Sequence, residues 1–223
     1  MRIVAVADTH MRTAGLVIPD GDVFIHAGDI CGFGELAELR AAAAWLRALP
    51  HRHKIVIAGN HDWCFVRHPA EARALVRDLH YLEDAELVLD GVRFYGSPWQ
   101  PEFNNWAFNL PRGEALAAVW RKIPRGVDIL ITHGPPEGMG DQLWDGARVG
   151  CADLRQRVAE LLPQVHMFGH IHEDGGVWND GTTVFANVTT NAGARGATVF
   201  DLDDARLTRV IAPPRDRYDD GDR

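Results

Sequence analysis

Long apolar runs, an excess of positive charge and paired cysteines are all missing from this 223-residue chain. No run approaches the roughly 18 apolar residues that a membrane-spanning helix needs, so no membrane partner is expected. Lysine and arginine total 23 against 31 aspartates and glutamates, a net charge of −8. No basic run or arginine-rich helix offsets that balance, which speaks against general nucleic-acid binding. The three cysteines, Cys31, Cys64 and Cys151, are far apart and form no CxxC. They read as small buried apolar side chains in a reducing compartment, and the cytoplasm is the expected location. The opening stretch MRIVAVADTH turns polar too soon for a signal-peptide core and lacks a cleavage site.

What is present suits one large soluble domain. Hydrophobic residues make up 46% and charged residues 24% of the chain. A chain of this length buries on the order of 70% of its unfolded surface. Short runs rich in Val, Ile or Phe recur: RIVAVAD, DVFIHAGD, HKIVIAGNHD, VDILITHG and VHMFGHIH. Each reads as a buried strand. Helical patterns lie between them over residues 34–50, 69–79, 112–124 and 151–163. Alternation of this kind implies an α/β fold. Residues 86–99 read as a hairpin turning at Asp90-Gly91, and short strands with Gly- and Asp-containing turns follow residue 175. The expectation is two packed sheets with helices outside, in one domain over 1–212, followed by a polar, Pro-led tail over 213–223 that reads as disordered.

The polar residues fall where the strands run out. Asp8 and His10, Asp29, Asn60 and His61, His133, and His170 and His172 follow five separate apolar runs. In α/β sheets the ligand crevice lies outside the carboxyl ends of the strands. In an extended chain, side chains two apart point the same way, so GHIH can present two imidazoles to one point. No thiolate is in the set. Oxygen and imidazole donors together suit Mn, Fe, Co, Ni or Zn. Seven or eight side chains are enough for two ions.

In order, DTH (8–10), GD (28–29), GNHD (59–62), THG (132–134) and GHIH (169–172) resemble the five motifs of the calcineurin-like metallophosphoesterases. The stretches GSPWQPEFNNWAFNLPRG, ITHGPP and RVGCADL further resemble the metallophosphoesterase-domain branch of brain proteins and their bacterial relatives. The resemblance implies a four-layer α/β/β/α sandwich of two mixed sheets flanked by helices. It implies two divalent ions, manganese favoured. One would take Asp8, His10, Asp29 and His172; the other would take Asp29, Asn60, His133 and His170, with Asp29 bridging. A hydroxide between the ions would attack a phosphodiester, with cyclic nucleotides among the candidate substrates. His61 would protonate the leaving oxygen. Asp62, His26 and Glu173 are candidates for support around the ligands. The resemblance leaves the oligomeric state open.

Simpler readings compete at single positions. Asp8 and Asn60 could be turn residues, and His26 could be a satisfied core histidine. Trp99, Phe103, Trp106 and Phe108 read as core rather than as a wall for a nucleotide base. GDICGFGE lacks the Asp-Arg pair with which protein serine/threonine phosphatases grip phosphate, so a phosphoprotein phosphatase is disfavoured. A phosphomonoesterase and a nucleotide-binding regulatory module remain as alternatives. An amidohydrolase-type barrel also uses HxH, but at its first strand and often beside a lysine; here the pair comes late, and the only lysines, Lys54 and Lys122, stand at no strand end.

Overall fold

The Val- and Ile-rich runs become strands because β-branched side chains pack well on a pleated surface buried on both faces. In a computed structural model of the chain, which describes residues 1–215, the order is β1 (Arg2–Val6), β2 (Val23–Ala27), α1 (Leu36–Ala48), β3 (His53–Ile57), α2 (Cys64–Arg67), α3 (Pro69–Leu75), β4 (His80–Tyr81), β5 (Ala85–Leu89), β6 (Val92–Ser97), β7 (Gln100–Pro101), β8 (Asn109–Leu110), α4 (Glu114–Trp120), β9 (Ile129–Thr132), α5 (Ala152–Leu161), β10 (Val165–Phe168), β11 (Gly176–Asn179), β12 (Val184–Asn187), β13 (Thr198–Asp203) and β14 (Arg206–Ile211).

Two six-stranded sheets carry the fold, ordered β14-β13-β1-β2-β3-β4 and β11-β12-β10-β9-β6-β5. The inner strands run parallel, Val4 opposite Phe24 and Met167 opposite Ile131, while β13, β14, β11 and β5 pair antiparallel. The period-2 alternation sorts side chains into layers. Ile3, Ala5, Ile25, Ile55 and Ile57 from one sheet meet Phe94, Ile129, Ile131 and Met167 from the other in the central core. Val4, Val6, Phe24 and Val56 point the other way, onto Ala42 and Leu46 of α1. Tyr95, Leu130, Phe168 and Phe185 pack on α4 and α5 through Leu116, Trp120, Leu154 and Val158. The result is the expected α/β/β/α sandwich.

The helices are shorter than their sequence patterns suggest. Leu49 leaves the helical region at ψ 142° because Pro50 follows it. α1 opens with a capping box between Glu35 and Glu38. α2 was not expected. Asp90 and Gly91 turn the β5–β6 hairpin with φ 47° and 82°, as the sequence requires. All three cysteines are buried and free. Cys151 is more than an apolar filler: its sulfur accepts the Leu154 N–H at the start of α5. Within the expected tail, Arg195 donates to the carbonyls of Pro213 and Pro214, and Arg215 reaches Asp174 at 2.7 Å. The rest of that tail, 216–223, lies outside the described residues. Among the described residues no helix is long and apolar enough to cross a membrane.

Candidate metal centre

The parallel strands of both sheets end at one place. The Ala7 N–H donates to the Val188 carbonyl and the Thr190 N–H to the Ala7 carbonyl, both at 2.9 Å. These two bonds tie the end of β1 to the segment leaving β12. The Asp8 N–H donates to Gly28, the His10 N–H to Asp29 and the Gly169 N–H to His133. The DTH loop is thereby hydrogen-bonded to the GD loop, and the GHIH loop to the THG loop.

The side chains form three overlapping donor groups, each with its atoms within 4.8 Å of one another: Asp8, His10 and His172; His10, Asp29 and His61; Asp29, His133 and His170. Asp29 Oδ2 stands between two of them, 3.8 Å from His10 Nε2 and 3.4 Å from His133 Nε2. Asn60 Oδ1 lies 2.9 Å from His133 Nε2. All eight residues singled out in the sequence are therefore brought together. The extended-chain argument for GHIH does not hold, however. His170 is left-handed at φ 72° and His172 begins a 3-10 turn, His172–Asp174. The two imidazoles consequently diverge, His170 toward Asp29 and His172 toward Asp8 and His10.

Three motif glycines make room for this crowding. A Cβ on Gly59 would sit 2.3 Å from Asp29 Oδ1, and one on Gly169 would sit 2.5 Å from Asp8 Oδ2. Gly28, at φ +95°, would place a Cβ 2.4 Å from His133 Nδ1. Asp8, His10 and Asp29 are also left-handed, at φ 55°, 44° and 58°. Such backbone costs about 1–2 kcal/mol per residue and collects where function needs it.

Asp62, the last residue of GNHD, is wholly buried and aims away from the cluster. Its carboxylate accepts the backbone N–H groups of Asp29, Ile30, Cys31 and Gly59 at 2.8–3.3 Å. It clamps the GD loop to the GNHD loop. His26 is also buried, its Nε2 meets Thr9 Oγ1 of the DTH loop at 3.0 Å, and it is in none of the three donor groups. Glu173 stands at the rim of a cleft of about 480 Å³ that opens at His170 and His172 and is lined by Phe103, Arg112, Leu143 and Val149.

The electrostatics ask for a cation. Burial disfavours a charged His133 ring, but Asp29 outweighs this and pushes it up to about 9. Burial and the neighbouring His133 push His170 down to about 3. Burial raises Asp29, yet His133 and His10 hold its carboxyl well below the usual range. Asp62 is pushed up to about 6 by burial and by the charge of Asp29. Among the described residues no lysine or arginine pairs with Asp8 or Asp29; the ionic partners within 4.0 Å are His172 for Asp8 and His10 and His133 for Asp29. Two buried carboxylates, an amide oxygen and four imidazoles facing one another make a donor set that fits divalent first-row ions. Asp8, His10, Asp29 and His172 would hold one, and Asp29, Asn60, His133 and His170 the other.

The aromatic cluster divides. Trp99 and Phe108 meet edge-to-face at 5.5 Å and pack into the core as expected. Phe103 and Trp106 do not. Phe103 sets its edge on His170 at 4.9 Å, and Trp106 stacks on His61 at 4.2 Å. The sequence signal for this excursion is Asn104-Asn105, both left-handed, which turn the loop back. Gly32 was also missed: its carbonyl accepts the His61 Nδ1–H at 2.6 Å. A backbone oxygen carries no sequence signature.

Two sheets closed face to face, with aspartate, asparagine and histidine donors at their common strand ends, define a metal-binding α/β sandwich. Residues 1–203 match the calcineurin-like phosphoesterase superfamily domain, and the chain belongs to that superfamily. Metallophosphoesterase domain-containing protein 1 of human and of mouse is 44% identical over 84% of this chain and 65% of its own length. This chain thus spans a little under two thirds of those relatives. A UPF0046 protein of Caenorhabditis elegans is 36% identical over 84% of this chain and 69% of its own. The crystal structure of TT1561 of Thermus thermophilus shares the fold at a TM-score of 0.62 and 14% identity, covering 95% of this chain and 98% of that one.

Proposed function

We propose that the chain is a two-metal phosphoester hydrolase acting on phosphodiesters, with cyclic nucleotides as the first substrates to try. The observation that carries this reading is Asp29, one carboxylate that belongs to two of the three donor groups and lies 3.8 Å from His10 and 3.4 Å from His133. The relatives called metallophosphoesterase domain-containing protein 1 support the reaction class. Divalent ions, manganese favoured, would polarise a phosphoryl oxygen and activate a water.

The chain's own residues supply the rest. His61 holds its Nδ1–H on the Gly32 carbonyl, which leaves Nε2 for the substrate. As the water, having given up a proton to solvent, adds its oxygen to phosphorus, the bond to the leaving alcohol breaks. With Nδ1–H on Gly32, Nε2 carries a proton only in the imidazolium form of His61; that form gives its Nε2 proton to the departing oxygen and is left neutral. The cleft beside His170 and His172 is large enough for an organic group on the phosphate, with Phe103 as an apolar wall. GDICGFGE offers no arginine to a dianionic monoester, which favours a diester. Three buried free thiols suit the reducing cytoplasm, where we place the protein.

The test is hydrolysis of bis(4-nitrophenyl) phosphate and 4-nitrophenyl phosphate with Mn²⁺ and with a chelator. Faster diester turnover, abolished by the chelator, is expected. Monoester preference would make the protein a phosphatase. No turnover of either by metal-loaded protein, with saturable nucleotide binding, would make it a binding module.

A further inference from the structure

The loop between β6 and α4 comes back over the candidate centre on a built frame. Its two-residue ladder pairs Gln100 with Asn109 and Pro101 with Leu110. The Gln100 amide donates to the Ala107 carbonyl, and the Asn109 amide to the Phe103 carbonyl. The Ala107 N–H then donates to the carbonyl of Asn60 at 3.2 Å. Residues 106–107 are therefore pinned beside residues 60–61. Trp106 is half-buried and packs with none of the buried apolar clusters among the described residues. Its indole instead lies on the His61 imidazole at 4.2 Å and 28°.

We infer that Trp106 is a positioning residue for His61, holding the plane of its ring so that Nε2 points at the leaving oxygen. This rests on the reading of His61 as proton donor. The hydrogen bond from Nδ1 to Gly32 fixes one ring atom but leaves the ring free to swing about that bond. The His10 ring, edge-on at 4.5 Å, closes one side, and the Trp106 face closes the other. In the step concerned, the phosphorus–oxygen bond to the leaving group breaks, its electrons stay on that oxygen, and the oxygen takes the His61 proton. Proton delivery matters most when the leaving group is a poor one, and misdirection of a reacting group costs about a hundredfold for roughly 1 Å.

The experiment compares Mn²⁺-loaded wild type, Trp106→Leu, Trp106→Phe and His61→Asn on 4-nitrophenyl and benzyl esters, each as monoester and methyl diester. The readout is the ratio of the nitrophenyl rate to the benzyl rate. Trp106→Leu should raise that ratio about ten- to a hundredfold at unchanged metal content, and Trp106→Phe should restore most of it. His61→Asn should raise it at least as far. A second readout needs no turnover. In metal-free protein, the His61 ring protons, assigned by their loss in His61→Asn, should be displaced upfield by the indole and return in Trp106→Leu. A raised ratio in His61→Asn but not in Trp106→Leu overturns the inference alone. An unraised ratio in His61→Asn overturns the proton-donor reading. Wild type that hydrolyses none of the esters overturns both.

Discussion

The Asp62 carboxylate holds Asp29 by its backbone, accepting the Asp29 N–H at 2.9 Å. Oδ2 takes Gly59 and Ile30 as well, and Oδ1 takes Cys31. An asparagine at position 62 keeps one oxygen and turns an NH₂ donor toward backbone donors. Asp62→Asn should therefore cost about 1–3 kcal/mol of stability through N–H groups left unpaired. Metal affinity should fall about ten- to a hundredfold, because the loop that carries Asp29 loses its anchor. Metal content after dialysis and a urea midpoint check both. Wild-type metal content in Asp62→Asn would mean that the loop keeps its shape without the clamp.

Gly169 offers a steric test of the same centre. An alanine methyl there would meet Ala7 Cβ and Asp8 Oδ2, both at 2.5 Å. Gly169→Ala should displace the Asp8 carboxylate and reduce bound metal. Gly91, at φ +82° with open space around it, is the control. Gly91→Ala should cost about 1 kcal/mol for its left-handed backbone and leave metal content alone. Equal metal loss in the two variants would point to general destabilisation instead of crowding at Asp8.

His166 sets a pH dependence away from the candidate metal ligands. The Thr132 hydroxyl donates to the Gly134 carbonyl, so His166 Nε2–H donates to Thr132 Oγ1 at 2.8 Å. Nδ1 is buried with no partner among the described residues, against Phe168 and Phe185. Burial holds the ring near 3, below its unfolded value of 6.5. The unfolded chain therefore binds the extra proton first as pH falls. Stability should drop by about 1.4 kcal/mol per pH unit from this group below 6.5. Urea midpoints at pH 7 and pH 5 should converge in His166→Gln relative to wild type. An unchanged slope in that variant would show that His166 is not the titrating group.

Much of this architecture was legible in the sequence, for a physical reason. Apolar runs buried on both faces announce themselves, and a polar residue ending each run marks the rim where ligands sit. Asp8, Asp29, Asn60, His133 and His170 were found in that way. What escaped depends on backbone groups and long-range docking. The Gly32 carbonyl that orients His61 belongs to any residue type. The placement of Trp106 follows from a bond between Ala107 and Asn60, forty-seven residues apart, which no local pattern encodes. The divergence of His170 and His172 turns on one left-handed residue that a β-period argument does not anticipate.

The shared role of Asp29 makes the sharpest prediction about metal stoichiometry. Its carboxylate lies between His10 and His133, whereas His172 belongs only to the group with Asp8 and His10. Wild type should bind two Mn²⁺ per chain and, at about a hundred times Kd, gain about 2.7 kcal/mol against unfolding per site. His172→Ala should lose one ion and keep the one held by Asn60, His133 and His170. Asp29→Asn should lose both, along with the stabilisation by Mn²⁺, because neither set is complete without that charge. Calorimetric titration of the three proteins measures the count directly. Loss of a single ion in Asp29→Asn would separate the two sites and remove the bridge. Loss of both in His172→Ala would mean that the donors form one site, with the second group serving only to orient it.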